Sequence, residues 1–378
     1  MGRYFVKPQI YTGEEGLREI LKEIGRVFVV TDRFMQESGL IRYVTEVLDQ
    51  LGIDYMIFAD VKPDPDIAVV SKGIAVLADF KPQVVIAMGG GSVIDAAKAM
   101  NYLAVSQGYY EKCLFAAVPT TSGTGTEVSR FAVISDPAKS AKYPLILDEL
   151  LPDAAILDAG LTMGVPPQIT ADTGMDVLTH ALEAFVSADA NDFTDAAAEK
   201  ALRLVHGNLL KVYRQPDDYE ARRKMHHASC LAGMAFSNAG LGLNHGMAHA
   251  LGGRFHIPHG RANAVLLPYV VCYNSGCRQK LTPAAVRYGE AAALLGIDSP
   301  DLRQSVLNIV RVIKRLSEQM GIPGDISGLG VSRREFAEAL DELADAAVND
   351  ACTAANPIRC TKEDVRGLFL EAYGLVKD

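Results

Sequence analysis

The sequence lacks any excess of positive charge. Its 37 lysines and arginines are outnumbered by 46 aspartates and glutamates, which gives a net charge of -9 at neutral pH. This balance argues against nucleic acid or an anionic membrane as the main partner. No apolar stretch is long enough to span a bilayer, and the sequence does not begin with a charged segment that leads into an apolar run. We therefore predict a cytoplasmic protein without a signal peptide or a membrane span.

Cysteine is also sparse, with six residues spread along the chain. Such a distribution is typical of a protein in a reducing compartment. Cys272 and Cys277 form a Cys-x4-Cys pair, but no second pair completes a zinc site, so we interpret both as structural residues. The 378 residues are 49% hydrophobic, which is enough for a large core and for two domains.

Strand and helix patterns alternate over the first 160 residues. Short apolar runs predict strands that start at Val27, Tyr55, Val84, Leu114 and Ala155. Amphipathic segments between them predict helices at 17–24, 41–51, 67–79 and 92–102. This alternation indicates a parallel sheet that is covered by helices on both faces.

Helical periodicity replaces the strand pattern after Pro166. Apolar residues between 302 and 320 recur on one helical face, and Ser332 with Glu335 has the spacing of a capping box. The sequence therefore predicts an α/β domain at residues 1–166 and an all-helical domain at residues 167–378.

Acidic and histidine side chains are concentrated in two segments of the second domain. Asp176 and His180 are four residues apart in a run of good helix formers, which places both on one helical face. His245 and His249 have the same spacing, and His259 follows in a Pro-His-Gly sequence. One carboxylate and several imidazoles predict a site for a divalent transition metal, with iron or zinc favoured.

Two loops that follow predicted strands are rich in small or hydroxyl residues. Residues 89–92 read Gly-Gly-Gly-Ser between a predicted strand and a predicted helix, where backbone N–H groups can approach an anion. This run matches neither the G-x-G-x-x-G fingerprint nor a P-loop. Residues 119–126 form a second loop with several hydroxyl groups, and the sequence leaves open whether it binds a ligand or is an ordinary turn.

Four motifs together resemble the iron-containing alcohol dehydrogenases, which are also called group III. They are Gly-Gly-Gly-Ser-x-x-Asp-x-x-Lys (89–98), Pro-Thr-Thr-x-Gly-Thr (119–124), Gly-Met-Asp-x-Leu-Thr-His-Ala-x-Glu (174–183) and His-x3-His-x9-His-Gly (245–260). The resemblance implies a modified Rossmann-like nucleotide domain followed by an all-α metal-binding domain. Segments near 192, 224 and 233 most resemble the 1-propanol dehydrogenases of propanediol-utilisation microcompartments.

The family motif assigns roles to the clustered polar residues. It implies that Asp176, His180, His245 and His259 bind the metal, which is Fe²⁺ in the family, with Zn²⁺ as the alternative. It makes His249 a proton-relay residue and not a ligand.

The resemblance also implies a set of NAD(H) contacts. Gly90, Gly91 and Ser92 would bind the pyrophosphate, Asp95 would lie beside the ribose, and Thr120, Thr121, Thr124 and Lys142 would make further contacts. Asp32 follows the first predicted strand, where the family reads the adenosine ribose. A carboxylate there accepts a hydrogen bond from a 2′-hydroxyl and repels a 2′-phosphate, which favours NAD over NADP. The alternative is that Asp32 only caps a helix.

These features predict a metal-dependent oxidoreductase that interconverts a short-chain primary alcohol and its aldehyde, such as 1-propanol and propionaldehyde. In this chemistry the metal acts as a Lewis acid on the alcohol oxygen and NAD accepts the hydride. Two alternatives are a zinc-dependent polyol enzyme similar to glycerol dehydrogenase and a non-catalytic metal-binding protein of a microcompartment. The resemblance further suggests a homodimer, located in the cytoplasm or inside a microcompartment with its shell or other enzymes as partners.

Overall fold

The computed structural model describes residues 4–137 and 141–375, apart from the side chains of Ala141 and Lys142. It separates into two compact units. One is Phe5–Gly164, and the other runs from Val165 onwards and includes Tyr4. The predicted boundary after residue 166 lies two residues beyond this separation.

A six-stranded parallel sheet forms the centre of the first unit, in the order β1-β8-β5-β4-β2-β3. Five of these strands were predicted, because strands buried on both faces have continuous apolar runs. The short edge strand β1 was not predicted. The strands are β1 (Gln9–Thr12), β2 (Arg26–Asp32), β3 (Asp54–Val61), β4 (Val84–Gly89), β5 (Leu114–Pro119) and β8 (Ala154–Leu157).

Helices cover both faces of this sheet. Val85 and its alternate neighbours pack beneath α4 and α5, whereas Ile86 and its alternate neighbours pack beneath α1 and α3. The helix predicted at 17–24 ends earlier, because the chain turns after Ile20 and Glu23 adopts a left-handed conformation. The helices are α1 (Glu15–Ile20), α2 (Arg33–Glu37), α3 (Arg42–Leu51), α4 (Ile67–Phe80) and α5 (Gly91–Ser106).

An antiparallel hairpin of β6 (Phe131–Asp136) and β7 (Ala141–Ile146) lies outside the parallel sheet. It was not predicted from the sequence. In β6 buried and partly exposed residues alternate, as expected for a strand that packs on one face only.

The strand order of the parallel sheet reverses between β2 and β4. From β2 the chain continues to β3 on one side, and from β4 it continues to β5 and β8 on the other. The carboxyl ends of such a pair form a topological switch point, where open α/β sheets bind ligands. Asp32 ends β2 and Gly89 ends β4, so two of the predicted cofactor segments lie at this point.

The second unit is helical, which confirms the predicted fold class. Its capping box is present, because the Ser332 hydroxyl accepts from the Glu335 N–H and the Glu335 side chain accepts from the Ser332 N–H. Across the described ranges, no helix combines the length and apolar character needed to cross a membrane. The helices are α6 (Pro167–Val186), α7 (Asp192–Arg214), α8 (Tyr219–Ala239), α9 (Leu243–Phe255), α10 (His259–Ser275), α11 (Ala284–Leu294), α12 (Leu302–Gln319), α13 (Arg333–Val348) and α14 (Lys362–Ala372).

Candidate metal centre and nucleotide-binding edge

Three helices of the second unit bring the four predicted metal ligands together. Asp176 and His180 come from α6, His245 comes from α9, and His259 is the first residue of α10. The Asp176 Oδ1 atom lies 3.9 Å from His180 Nε2, 3.7 Å from His245 Nε2 and 3.5 Å from His259 Nε2. The candidate ligand atoms of all four residues lie within 4.8 Å of one another.

This spacing fits one divalent metal ion. Ligand atoms about 2.1 Å from a tetrahedral ion are about 3.4 Å apart, so the three distances from Asp176 need to contract only slightly. Asp176, His180 and His245 are buried, whereas the His259 side chain is 40% exposed. The cluster is therefore most exposed at His259, and a small ligand can approach from that side.

Close packing of α10 against α6 fixes the position of His259. A Cβ atom on Gly260 would lie 2.1 Å from the backbone oxygen of Asp172, so only glycine allows this approach. The next residue, Arg261, donates from Nε to Asp172 Oδ1 at 3.0 Å. Both contacts are made to Asp172, which lies one helical turn before Asp176 on α6. They therefore hold the first turn of α10 close to Asp176.

Glu183 on α6 supports the cluster and was not among the predicted site residues. Its Oε2 atom is hydrogen-bonded to His245 Nδ1, and its Oε1 atom accepts from the Asn244 N–H at 2.8 Å. Burial raises the pKa of Glu183 to about 8, although the nearby backbone N–H donors oppose this shift. Its position could have been inferred from the sequence, since residues 176, 180 and 183 share one helical face.

Asn263 on α10 is a second residue that sequence reasoning missed. Its Nδ2 atom donates to Asp176 Oδ1 at 2.7 Å and lies 3.2 Å from His245 Nε2 and 3.1 Å from His259 Nε2. Its Oδ1 atom accepts from Asn244 Nδ2 at 2.9 Å. Burial and the neighbouring histidines hold the pKa of His245 well below its usual value. An amide NH2 group can only donate, so it favours the tautomers in which the facing imidazole nitrogens are acceptors, as metal binding requires.

His249 lies beside the four candidate ligands. Its ring stacks on that of His259 with centroids 5.2 Å apart, and it meets the His245 ring edge-on at 6.0 Å. Its Nδ1 atom is 2.9 Å from Asp350 Oδ2. Burial alone would raise the pKa of Asp350, but the hydrogen bond and charge of His249 lower it. The Asp350 carboxylate can only accept, so His249 donates from Nδ1, and in the neutral form of the ring Nε2 is an acceptor. Asp350 was not predicted.

The glycine and threonine loops lie side by side at the ends of β4 and β5. The Thr120 N–H donates to the Gly89 oxygen at 3.0 Å. A Cβ atom on Gly91 would lie 2.6 Å from the Thr124 methyl group, and one on Gly90 would lie 3.6 Å from Thr121. Helix α5 begins at Gly91, so its first backbone N–H groups and its dipole are available to a phosphate. Gly90 and Gly91 have no side chains, so a phosphate group can come close to these N–H groups. The loop therefore fits the pyrophosphate of a dinucleotide.

The predicted nucleotide-binding side chains differ in how exposed they are to solvent. Ser92, Thr121 and Thr124 are partly exposed, whereas Thr120 is only 2% exposed. A nucleotide contact by the Thr120 hydroxyl therefore stays a prediction. The side chain of Lys142 lies outside the described residues.

Asp95 and Lys98 on α5 hold the second loop in place. Asp95 accepts from the Thr126 hydroxyl at 2.6 Å and from the Val133 N–H at 3.1 Å. The buried Lys98 donates to the Thr126 hydroxyl at 2.8 Å and to the Ser129 oxygen at 2.7 Å. Burial lowers the pKa of Lys98 to about 8, against the effect of the nearby carboxylates. Asp95 thus already has protein partners, and its predicted contact with the ribose stays a prediction.

Asp32 caps a helix, as the alternative interpretation expected. Its Oδ1 atom accepts from the Met35 N–H at 2.9 Å at the start of α2. One oxygen is enough for this cap, so the geometry leaves Oδ2 for a ribose hydroxyl. The two interpretations of Asp32 are compatible.

The two units match the two parts of one protein family. Residues 8–159 match the description "Iron-containing alcohol dehydrogenase", and residues 170–373 match "Fe-containing alcohol dehydrogenase family, C-terminal". The chain belongs to the iron-containing alcohol dehydrogenase family.

Individual members of the family are similar over nearly all of this chain. It is 42% identical to the 1-propanol dehydrogenase PduQ of Salmonella typhimurium, covering 98% of this chain and 100% of that one. It is 38% identical to the NADPH-dependent butanol dehydrogenase of Clostridium saccharobutylicum, covering 99% and 98%. It is 40% identical to the aldehyde-alcohol dehydrogenase of Streptococcus pneumoniae over 93% of this chain, but it spans only 43% of that protein.

A solved structure of similar fold contains a nicotinamide cofactor. It is the sulfoacetaldehyde reductase of Bifidobacterium kashiwanohense in complex with NAD+, with a TM-score of 0.87 and 27% identity over 98% of each chain.

Proposed function

We propose that this iron-containing alcohol dehydrogenase interconverts a short-chain primary alcohol and its aldehyde, with NAD(H) and one Fe²⁺ ion. The observation that carries the proposal is the convergence of one carboxylate and three imidazoles with spacings of 3.5 to 3.9 Å. We propose 1-propanol and propionaldehyde as the first pair to test, because the 1-propanol dehydrogenase of Salmonella typhimurium is 42% identical over its full length.

Asp176, His180, His245 and His259 would hold the metal, and Asn263 would keep their acceptor atoms directed inward. When bound, the metal supplies Lewis acidity that lowers the pKa of the alcohol oxygen. His249 lies next to this cluster with Nε2 as an acceptor, so it would take the alcohol proton directly or through water and pass it to solvent. Asp350 holds the His249 ring in the orientation and tautomer that this step needs.

The nucleotide would bind at the switch point of the sheet. Gly90, Gly91 and Ser92 would contact the pyrophosphate through backbone N–H groups at the start of α5. Asp32 would accept from the adenosine ribose through Oδ2 while Oδ1 keeps capping α2. The NAD+ complex of a relative supports this cofactor, whereas the NADPH-dependent butanol dehydrogenase shows why the preference must be measured.

The direct test measures metal and turnover together. Apo-protein would be loaded with Fe²⁺ without oxygen and assayed with NAD(H) and alcohols and aldehydes of two to four carbons. His259→Ala should lose the metal and the activity but keep its circular dichroism spectrum. His206→Ala, which changes a histidine on α7 outside the cluster, is the matched control and should keep both. Full metal occupancy in His259→Ala would contradict the proposed site.

We also propose that the enzyme works as a homodimer in the cytoplasm, within a bacterial microcompartment. The support is the resemblance of its sequence to the 1-propanol dehydrogenases. Sedimentation of the purified protein would test the dimer. Co-purification with shell proteins from the source cells would test the location, and a freely soluble enzyme in those cells would contradict it.

A further inference from the structure

Glu183 has an unusual position for a carboxylate, because it is only 4% exposed and has no cationic side chain as a hydrogen-bond partner among those described. Its two oxygens have two different hydrogen-bond partners. Oε1 accepts from the Asn244 N–H at the start of α9, and Oε2 is hydrogen-bonded to the Nδ1 atom of His245. One side chain therefore links the end of a helix to a candidate metal ligand.

The start of α9 depends on side chains from elsewhere in the chain. Its N-cap residue, Gly242, has no side chain that could accept the first N–H groups. The Leu243 N–H instead donates to Asn356 Oδ1 at 3.1 Å, and the Asn244 N–H donates to Glu183. A Cβ atom on Gly242 would lie 2.7 Å from Glu183 Oε1, so glycine makes this approach possible.

The chemistry of a carboxylate selects one form of the His245 ring. When Glu183 is ionised it has no hydrogen to donate, so Nδ1 must carry the proton of a neutral His245 ring. The lone pair then lies on Nε2, which faces Asp176 Oδ1 at 3.7 Å and the other candidate ligands. The opposite tautomer would direct a hydrogen at the place where the metal binds.

We propose that Glu183 is a positioning residue that fixes the tautomer of His245 and thereby sets the affinity of the site for its metal. The inference rests on the proposed metal site and goes beyond it, since it explains why one of the four ligands is preorganised. Outer partners of this kind orient metal-bound histidines and raise their basicity.

The Glu183→Gln variant tests whether Glu183 fixes the tautomer of His245 or only fills space. The glutamine side chain has nearly the same shape but only one acceptor oxygen, whereas both neighbours are donors. The Asn244 backbone N–H cannot change, but the His245 ring can move its proton to Nε2. We therefore expect the amide oxygen to stay with Asn244 and the amide NH2 group to face His245, which then presents a hydrogen to the metal.

The experiment compares Glu183→Gln with the wild type and with Asn356→Ala. Zn²⁺ alone is the probe, and its dissociation constant is measured by chelator competition. Glu183→Gln should bind Zn²⁺ about 10- to 100-fold more weakly. In the metal-free protein, at a pH above the Glu183 pKa of about 8, ¹⁵N NMR of the histidines should show His245 protonated at Nδ1 in the wild type and at Nε2 in Glu183→Gln. Asn356→Ala removes the neighbouring cap of α9, so it should lower stability but keep the wild-type tautomer.

A Zn²⁺ affinity in Glu183→Gln within twofold of the wild type, or an unchanged tautomer, would overturn the inference. If Glu183→Gln does not fold, the wild-type spectrum still decides, because an Nε2-protonated His245 would overturn it as well. Failure of the wild type to bind Zn²⁺ would refute the metal site itself, while the tautomer measurement would still test Glu183.

Discussion

Replacing Gly260 by alanine should displace the proposed metal ligand His259 while every proposed ligand residue stays in the sequence. The new Cβ atom would lie 2.1 Å from the Asp172 oxygen and 2.7 Å from its carbonyl carbon, both in the backbone of α6. Neither atom can rotate away as a side chain would. The first turn of α10 must therefore move, and it carries His259.

The size of the movement follows from the contact distance. Ordinary van der Waals contact begins near 3.4 Å, so the first turn has to shift by 3.4 minus 2.1, or about 1.3 Å. Metal–ligand distances tolerate only about 0.2 Å. Overpacking of this kind costs about 1–3 kcal/mol. If metal binding has to restore the original packing, that strain weakens the affinity by about 5- to 150-fold.

Gly207→Ala on α7 is the matched control, because nothing lies within 4 Å of its added Cβ atom. In a helix interior this change should raise the free energy of unfolding by about 0.5–1 kcal/mol and leave metal binding unchanged. Urea unfolding of the apo-proteins and chelator competition with Zn²⁺ measure both quantities. Wild-type stability and affinity in Gly260→Ala would refute the reasoning that close packing of α10 on α6 sets the ligand geometry.

Three further predictions concern the cofactor, the proton relay and pH. Asp32→Asn keeps the cap of α2 but removes the charge, so the ratio of kcat/KM for NAD over NADP should fall; an unchanged ratio would leave Asp32 as a cap alone. His249→Ala should retain metal and NAD binding while turnover falls about 100- to 10,000-fold, and metal loss would show that His249 is itself a ligand. Burial lowers the pKa of His226 to about 3, so only the unfolded state takes up this proton as pH falls below about 6.5. Stability should therefore drop by up to about 1.4 kcal/mol per pH unit towards pH 3 on account of this residue, and His226→Leu should show a correspondingly shallower dependence in urea titrations. Equal slopes would mean that the ring is not protected from protonation.

The parallel sheet was predictable because its strands are buried on both faces. Val84–Gly89 is buried at every position, and such a strand has a continuous apolar run. The same criterion misses β6, whose partly exposed residues alternate with buried ones, and β1, which has four residues and lies at the sheet edge. An edge or single-faced strand is defined by its neighbours, and the local sequence does not contain them.

The candidate metal ligands were predictable for a different reason. Spacing within one helix brings Asp176 next to His180, and the family motif supplies the other two. Their supporting residues depend on tertiary packing. Glu183 is 62 residues from His245, and Asp350 is 101 residues from His249. Helical spacing places Glu183 on the same face as Asp176 and His180. No periodicity links either carboxylate to a histidine so far away, so only the folded chain shows that Glu183 contacts Nδ1 of His245 and that Asp350 contacts Nδ1 of His249.

The start of α9 is capped by side chains from distant parts of the chain, and this has a consequence for biosynthesis. A helix of 13 residues is marginal on its own, and the acceptors for its first N–H groups are 61 and 113 residues away along the chain. A nascent chain that ends before Asn356 already contains every proposed metal ligand, but it lacks the acceptor for the Leu243 N–H at the start of the helix that carries His245. Metal capture should consequently wait until Asn356 has been made, so a shorter nascent chain does not trap whichever cation is most abundant.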